Sequence, residues 1–252
     1  MLFDTHTHYD DAQFDTDREA LLSAMPDNGI SLIVNASSNL ASAVAGLKIA
    51  ERYPFVYAAV GVHPHDASTM DGSTINRLEA LLRHPKAVAV GEIGLDYHYD
   101  HSPRDVQKQR FREQLELAGH LKMPVVIHER EASRDVLEIL GDYPDVTGVF
   151  HCYSGSWETA KLLLDRGWHL SFPGVITFKN ARRSHEVIVK MPRDRIMIET
   201  DCPYLAPEPM RGRRNSSLNL RYVAEKLGEL LGLSFEESAA LTMENGRRFF
   251  GL

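Results

Sequence analysis

Two histidines one residue apart, in Asp4-Thr5-His6-Thr7-His8, close a short apolar run near the start of the chain. On a β-strand, residues i and i+2 leave the same face, so both imidazoles project together, about 7 Å apart along the strand. Neutral imidazole is a ligand for zinc, iron, manganese and similar ions. Four later apolar runs lead into another ligand type each: Glu92, His128, His151 and Asp201. Four histidines and two acids exceed the needs of one tetrahedral ion. They match two ions that share a carboxylate through both its oxygens, a role for Glu92. His6 and His8 would hold one ion with Asp201 and one oxygen of Glu92. His128 and His151 would hold the other with the remaining oxygen. Ions so placed, roughly 3.5–4 Å apart, clamp the attacking and leaving oxygens of a displacement. Taken singly, each residue has a plainer reading: a hydrogen-bonded histidine at the core's edge, a solvated loop acid at Glu92, a helix cap at Asp201.

The elements that must position these groups are legible as eight apolar runs rich in β-branched residues: Leu2-Phe3, Ile30–Val34, Phe55–Val60, Ala87–Val90, Pro124–Ile127, Val146–Phe150, His169–Phe172 and Ile196–Ile198. Helical patterns separate most of them, at 17–25, 40–52, 75–83, 103–121, 132–140, 158–166 and 183–190, and two more follow at 218–231 and 235–249. Ser102 is the expected N-cap before Pro103. Ser234 and Glu237 form a capping box. Strands alternating with helices imply parallel pairing through right-handed crossovers. Eight such units predict an α/β fold, a single (β/α)8 TIM barrel, as one domain over residues 1–252. Reacting groups in that fold sit at the carboxyl ends of the strands. His6, His8, His63, Glu92, His128, His151 and Asp201 all fall there, which scattered core histidines would not do. His84, His98, His101, His120, His169 and His185 fall elsewhere and read as structural.

Of 252 residues, 43% are apolar and 25% charged, ordinary for a globular enzyme, and the net charge of −7 argues against a protein that coats polyanions. It leaves room for an enzyme that grips one end of a nucleic acid. No apolar stretch is long enough to span a membrane, no secretory signal is recognisable, and two cysteines suggest a reduced, cytoplasmic setting.

In order and context, six segments resemble the TatD family of metal-dependent hydrolases, in the amidohydrolase superfamily. They are Asp4-Thr5-His6-Thr7-His8, Val60-Gly61-Val62-His63-Pro64-His65, Gly91-Glu92-Ile93-Gly94-Leu95-Asp96-Tyr97, Pro124-Val125-Val126-Ile127-His128, His151-Cys152-Tyr153-Ser154-Gly155 and Glu199-Thr200-Asp201-Cys202-Pro203-Tyr204-Leu205. The resemblance implies a (β/α)8 barrel and divalent-metal phosphodiesterase chemistry on DNA, often 3′-to-5′ exonucleolytic. It also implies the ligand roles reached above. Three departures stand out. Arg130-Glu131-Ala132 replaces the usual Arg-Asp-Ala, and Glu244-Asn245 the usual Thr-Asn. Arg211-Gly212-Arg213-Arg214-Asn215-Ser216-Ser217 lacks the Glu-Pro that usually ends that motif. The last of these lies where substrate would be held.

Supporting roles follow from placement. Glu199, two before Asp201, would lie one layer deeper and accept a hydrogen bond from a ligand imidazole, or pair with a buried base. Arg130, on the face of His128, would bind phosphate bidentately or form a surface ion pair. His63 would donate to a phosphate oxygen or a leaving group. Arg211, Arg213 and Arg214 would contact flanking phosphates or simply solubilise their loop. Tyr97 and Tyr99 would stack on a terminal base or pack on the rim. Cys152 and Cys202, on strands that are not neighbours, are expected as free buried thiols.

The expected activity is attack of a metal-activated water on a terminal phosphodiester, with Asp201 as proton acceptor and Glu92 bridging two divalent ions (magnesium, manganese, zinc or iron). The expected partner is DNA, as a single strand engaged at its 3′ end, and the expected assembly a monomer or weak oligomer. Alternatives are hydrolysis of a small cyclic amide, ester or lactone, cleavage of an aminoacyl-tRNA ester, and a metal-stabilised binding module. The absence of lysine between Lys86 and Lys108 removes the carboxylated-lysine bridge used by many bimetal amidohydrolases.

Overall fold

The computed structural model describes residues 1–252. Eight strands pair into one parallel sheet in chain order: β1 (Leu2–Thr7), β2 (Ile30–Ala36), β3 (Val56–Val60), β4 (Ala87–Asp96), β5 (Val125–Arg130), β6 (Gly148–Phe150), β7 (His169–Phe172) and β8 (Ile196–Ile198). The helices are α1 (Arg18–Ser23), α2 (Leu40–Arg52), α3 (Thr74–Leu82), α4 (Arg104–Leu121), α5 (Ser133–Gly141), α6 (Trp157–Asp165), α7 (Arg182–Lys190), α8 (Leu220–Leu231) and α9 (Phe235–Phe250). Helices alternate with strands from β1 to β8, and α8 and α9 complete the chain. The last strand lies beside the first: Thr7 bridges Cys202 in parallel, Asp201 N–H donates to His6 O at 3.0 Å, and His8 N–H donates to Cys202 O at 2.8 Å. This is the expected (β/α)8 arrangement. No helix is long and apolar enough to cross a membrane.

The chain divides into two compact units. The first comprises Met1–Asn35, Tyr53–Val56 and His151–Leu252. It buries Phe3, Phe14, Leu22, Trp168 and Phe172 and packs α9 against β1 and β8. Gly246 of α9 lies so close to Phe3 that a Cβ would sit 2.6 Å from its ring. The second comprises Ala36–Arg52 and Tyr57–Phe150 and buries Leu78, Ile93, Phe111, Leu115 and Ile127.

Four strands run further than their apolar runs, β2 to Ala36 and β5 to Arg130 among them. β1 continues through His6 to Thr7, and β4 through Glu92 to Asp96. Gly91 and Gly94 interrupt the apolar pattern of β4 for a steric reason. A Cβ on Gly91 would lie 2.7 Å from Val126 Cβ, and one on Gly94 only 2.0 Å from His128 O. Glycine lets β4 and β5 approach on either side of Glu92, and Gly94 also holds φ at +146°. At helix termini the capping box of Ser234 and Glu237 is present. Ser102 does not cap α4: its hydroxyl donates to His65 O at 2.8 Å and accepts Ser68 N–H at 3.0 Å, tying the loop after β3 instead.

Candidate metal centre

The first unit gathers nitrogen ligands. Alternation along β1 sends His6 and His8 to one side, where their Nε2 atoms stand 3.2 Å apart. Asp201 Oδ1 lies 3.3 Å from His8 Nε2 and 3.7 Å from His6 Nε2. His151, directly after β6, stacks on His6 with centroids 3.9 Å apart and planes 12° from parallel. Beneath it, Glu199 Oε1 is 3.4 Å from His151 Nδ1 and accepts Cys152 N–H at 2.6 Å. Glu199 Oε2 is buried without a hydrogen-bond partner, a cost that a cation would remove. One donor atom each from His6, His151 and Glu199 falls within 4.8 Å of the others. The chain turns sharply here: Cys152 and Asp201 hold φ at 47° and 54°. Non-glycine residues pay for that left-handed geometry, and such strain gathers at functional sites. Burial opposes ionisation of Asp201, yet its hydrogen bond with His8 and the imidazoles of His8, His151 and His6 hold its carboxyl below the usual range.

The second unit interleaves imidazoles with carboxylates. Glu92 Oε1 lies 2.8 Å from His128 Nδ1 and 3.5 Å from His63 Nε2. His128 Nε2 is 3.0 Å from Asp96 Oδ2, and so is His65 Nε2. Asp96 is wholly buried, and its Oδ1 accepts the backbone N–H groups of His98 and Tyr99 at 3.0 and 2.8 Å. Burial would raise its pKa, but the hydrogen bonds from His128, Tyr99 N–H and His65 keep it well below the ordinary carboxylate range. A carboxylate held ionised against Nε2–H of His128 leaves Nδ1 as the metal-facing lone pair, beside Glu92. His63 also falls within the 4.8 Å donor group of Glu92 and His128. Its chemistry differs. Its Nδ1 accepts His65 N–H at 3.1 Å, and burial, aided by His128, lowers its pKa to about 3. The neutral ring therefore carries its one proton on Nε2, which makes His63 a donor rather than a ligand.

The loop after β8 is fixed by a buried network in the first unit. Asp4 accepts Thr200 N–H at 2.8 Å, Thr200 Oγ1 at 2.6 Å and Ser217 Oγ at 2.6 Å. Tyr9 OH donates to Ser217 Oγ and accepts Ser217 N–H, at 2.8 and 2.9 Å. Burial pushes Asp4 up to about 7, against the pull of Ser217 and Thr200. Proline at position 217 would supply neither the hydroxyl nor the N–H, so the Ser216-Ser217 departure is built into this network. Arg214, expected at the phosphates, is held by Asp17 through both guanidinium amines, at 2.8 and 2.5 Å, and lies over Phe14. Arg211 sits over Phe178, 3.8 Å from Glu208. Arg213 and Arg130 are exposed and have no carboxylate partner. Tyr97 is packed into the rim, its hydroxyl donating to Asp135 at 2.6 Å with Arg104 over its ring. Neither cysteine is in a disulfide; Cys202 is buried, but Cys152 is partly exposed where the chain turns after His151.

Asp96 was not among the expected site residues, although alternation from Glu92 places it on the same face four residues on. The Asp4–Ser217–Tyr9 network spans more than two hundred residues and left no local signal.

A sequential eight-stranded parallel barrel with imidazole–carboxylate groups toward the carboxyl ends of its strands has the make-up of a metal-dependent hydrolase. The family model described as TatD related DNase matches residues 3–251, and the chain belongs to the TatD family. It is similar to the metal-dependent hydrolase YabD of Bacillus subtilis (strain 168), 43% identical over 99% of each chain. It is also similar to the 3′-5′ ssDNA/RNA exonuclease TatD of Citrobacter koseri, 31% identical over 100% of this chain and 99% of the relative. Among solved structures, YjjV, a TatD homologue from Escherichia coli K12, superposes with a TM-score of 0.93 at 30% identity, covering 100% of this chain and 98% of that one.

Proposed function

We propose that the chain is a divalent-metal-dependent phosphodiesterase that shortens single-stranded DNA from its 3′ end. The observation that carries this reading is the packing of His6, His8 and Asp201, whose donor atoms lie 3.2 to 3.7 Å apart. Family membership and the exonuclease named among the relatives support the substrate class. His6, His8, His151 and Asp201 of the first unit and Glu92 and His128 of the second are the residues that would hold the divalent ions. Bound divalent ions would bring the pKa of a coordinated water toward neutrality and polarise the phosphoryl oxygens. Asp201 Oδ takes the proton of the attacking water and returns it to the departing oxygen. His63 Nε2–H donates to the phosphoryl group as charge develops there. Asp96 and Glu199 orient the ligand imidazoles. Arg130, Arg211 and Arg213 meet the backbone phosphates, while Arg214 holds the loop through Asp17.

The test is end-labelled single-stranded DNA incubated with the purified protein, with chelator, and with metal restored. Stepwise shortening from the 3′ end that chelator stops and metal recovers is expected. No metal-dependent cleavage of DNA, alongside turnover of lactones or cyclic amides, would overturn the proposal.

A further inference from the structure

We infer that Tyr99, His101 and Arg130 form a stacking site for the base of the nucleotide next to the cleaved bond. The inference deepens the phosphodiesterase reading, on which its substrate class rests. Tyr97 and Tyr99 occupy one loop and are treated differently. Tyr97 is tied by its hydroxyl and covered by Arg104, as a packing residue should be. Tyr99 is anchored through its backbone N–H on Asp96, and its ring is left 50% exposed. The exposed His101 ring stacks beside it, with centroids 5.5 Å apart and planes 6° from parallel. The Arg130 guanidinium lies 4.8 Å from the Tyr99 centroid. Arg104, at the start of α4, is spent on Asp100, with three contacts between 2.6 and 3.1 Å. Arg130 has no such partner, so a guanidinium lying over an aromatic ring keeps its N–H groups for an anion.

The platform is also rigidly registered to the metal centre. One carboxylate, Asp96, fixes the Tyr99 and His98 amides through Oδ1 and the His65 and His128 rings through Oδ2. His65 sits between, its ring 4.7 Å from that of His101 and 6.1 Å from that of His128. A base stacked against this aromatic pair would bring its phosphate within reach of the Arg130 guanidinium, 4.8 Å from the Tyr99 centroid. Every nucleobase has a π-face, so such a site grips any sequence.

The test is calorimetric titration of the full-length protein in magnesium buffer with two ligands, deoxyadenosine 5′-monophosphate and base-free deoxyribose 5-phosphate. The wild type should bind the nucleotide about tenfold more tightly, as one stacked base provides. Tyr99→Ala combined with His101→Ala should bring the two affinities together, and Arg130→Gln should weaken both ligands alike. Equal affinities in the wild type, a preference that survives the double substitution, or no binding of either ligand would overturn the inference. DNA cleavage with equal affinities removes the base site alone. A base preference without any cleavage removes the phosphodiesterase reading instead.

Discussion

The two ligand clusters are assembled by different physics. In the first unit, imidazole meets imidazole: His6 stacks on His151 at 3.9 Å, and the Nε2 atoms of His6 and His8 are 3.2 Å apart. Ring packing and a strained turn at Asp201 set the geometry. In the second unit, imidazole meets carboxylate: Glu92 and Asp96 lie at opposite nitrogens of His128. Hydrogen bonds there choose the tautomer and aim the rings before any cation arrives. A nitrogen-rich cluster relies on a cation to reconcile its donors. A cluster built on ionised carboxylates is preorganised by the protein. Chemistry that needs a proton acceptor should therefore depend most on the first cluster, and orientation of a ligand should depend most on the second.

Asp201→Asn is the sharpest way to break this contrast. The amide preserves shape but cannot take a proton, so kcat on a 3′-labelled single strand should fall by about a thousandfold, with the circular dichroism spectrum unchanged. Activity within a few-fold of wild type would remove Asp201 from proton transfer and leave the first cluster as a metal holder only. Asp96→Asn probes the other half. Without the ionised partner at Nε2, His128 loses its fixed tautomer, and metal affinity should fall by about 10- to 100-fold. Competition against a chromogenic chelator measures this directly. Unchanged affinity would mean that Glu92 alone orients His128, and the two clusters would differ less than their geometry implies.

Alternation was enough to align His6 with His8, because a two-residue period survives without tertiary information; Glu92 and His128 read as strand ends, but β4 and β5 run past them to Asp96 and Arg130. The same rule reaches Asp96 only if β4 is carried past Gly91 and Gly94. Those glycines look like the end of a strand. They are there because the Val126 side chain and the His128 backbone of β5 leave no room for a Cβ, a reason that exists only in three dimensions. Arg214 shows the opposite error. Its place in a basic run suggests phosphate contact, yet Asp17, nearly two hundred residues earlier, holds it as an ion pair. Charge in sequence counts cations, and the fold decides which are already neutralised. Ser217 had no readable pattern at all, since its partners Asp4 and Tyr9 lie at the other end of the chain.

Ser217 also yields the smallest of the expected effects and the one most sensitive to pH. The ordinary aspartate value is 3.8, and burial pushes Asp4 up to about 7 in the folded protein. A folded pKa above the unfolded value means that the folded state binds the proton more tightly. The stability this contributes is full below pH 3.8 and is lost as pH rises through about 7. Above that point the carboxylate is ionised in a buried site and depends on its three donors, Ser217 among them. Ser217→Ala removes one donor and strips Tyr9 OH of its acceptor. The loss should be about 2 kcal/mol at alkaline pH, where the acceptor is charged, and about 1 kcal/mol in mild acid, where it is neutral. Urea unfolding of both proteins at pH 8 and pH 5 reads the difference. A penalty that is equal at the two pH values, or larger in acid, would show that Asp4 is not titrating in this range. The scaffold beneath the nitrogen-rich cluster would then be held by an ionised carboxylate throughout, much like its counterpart at Asp96.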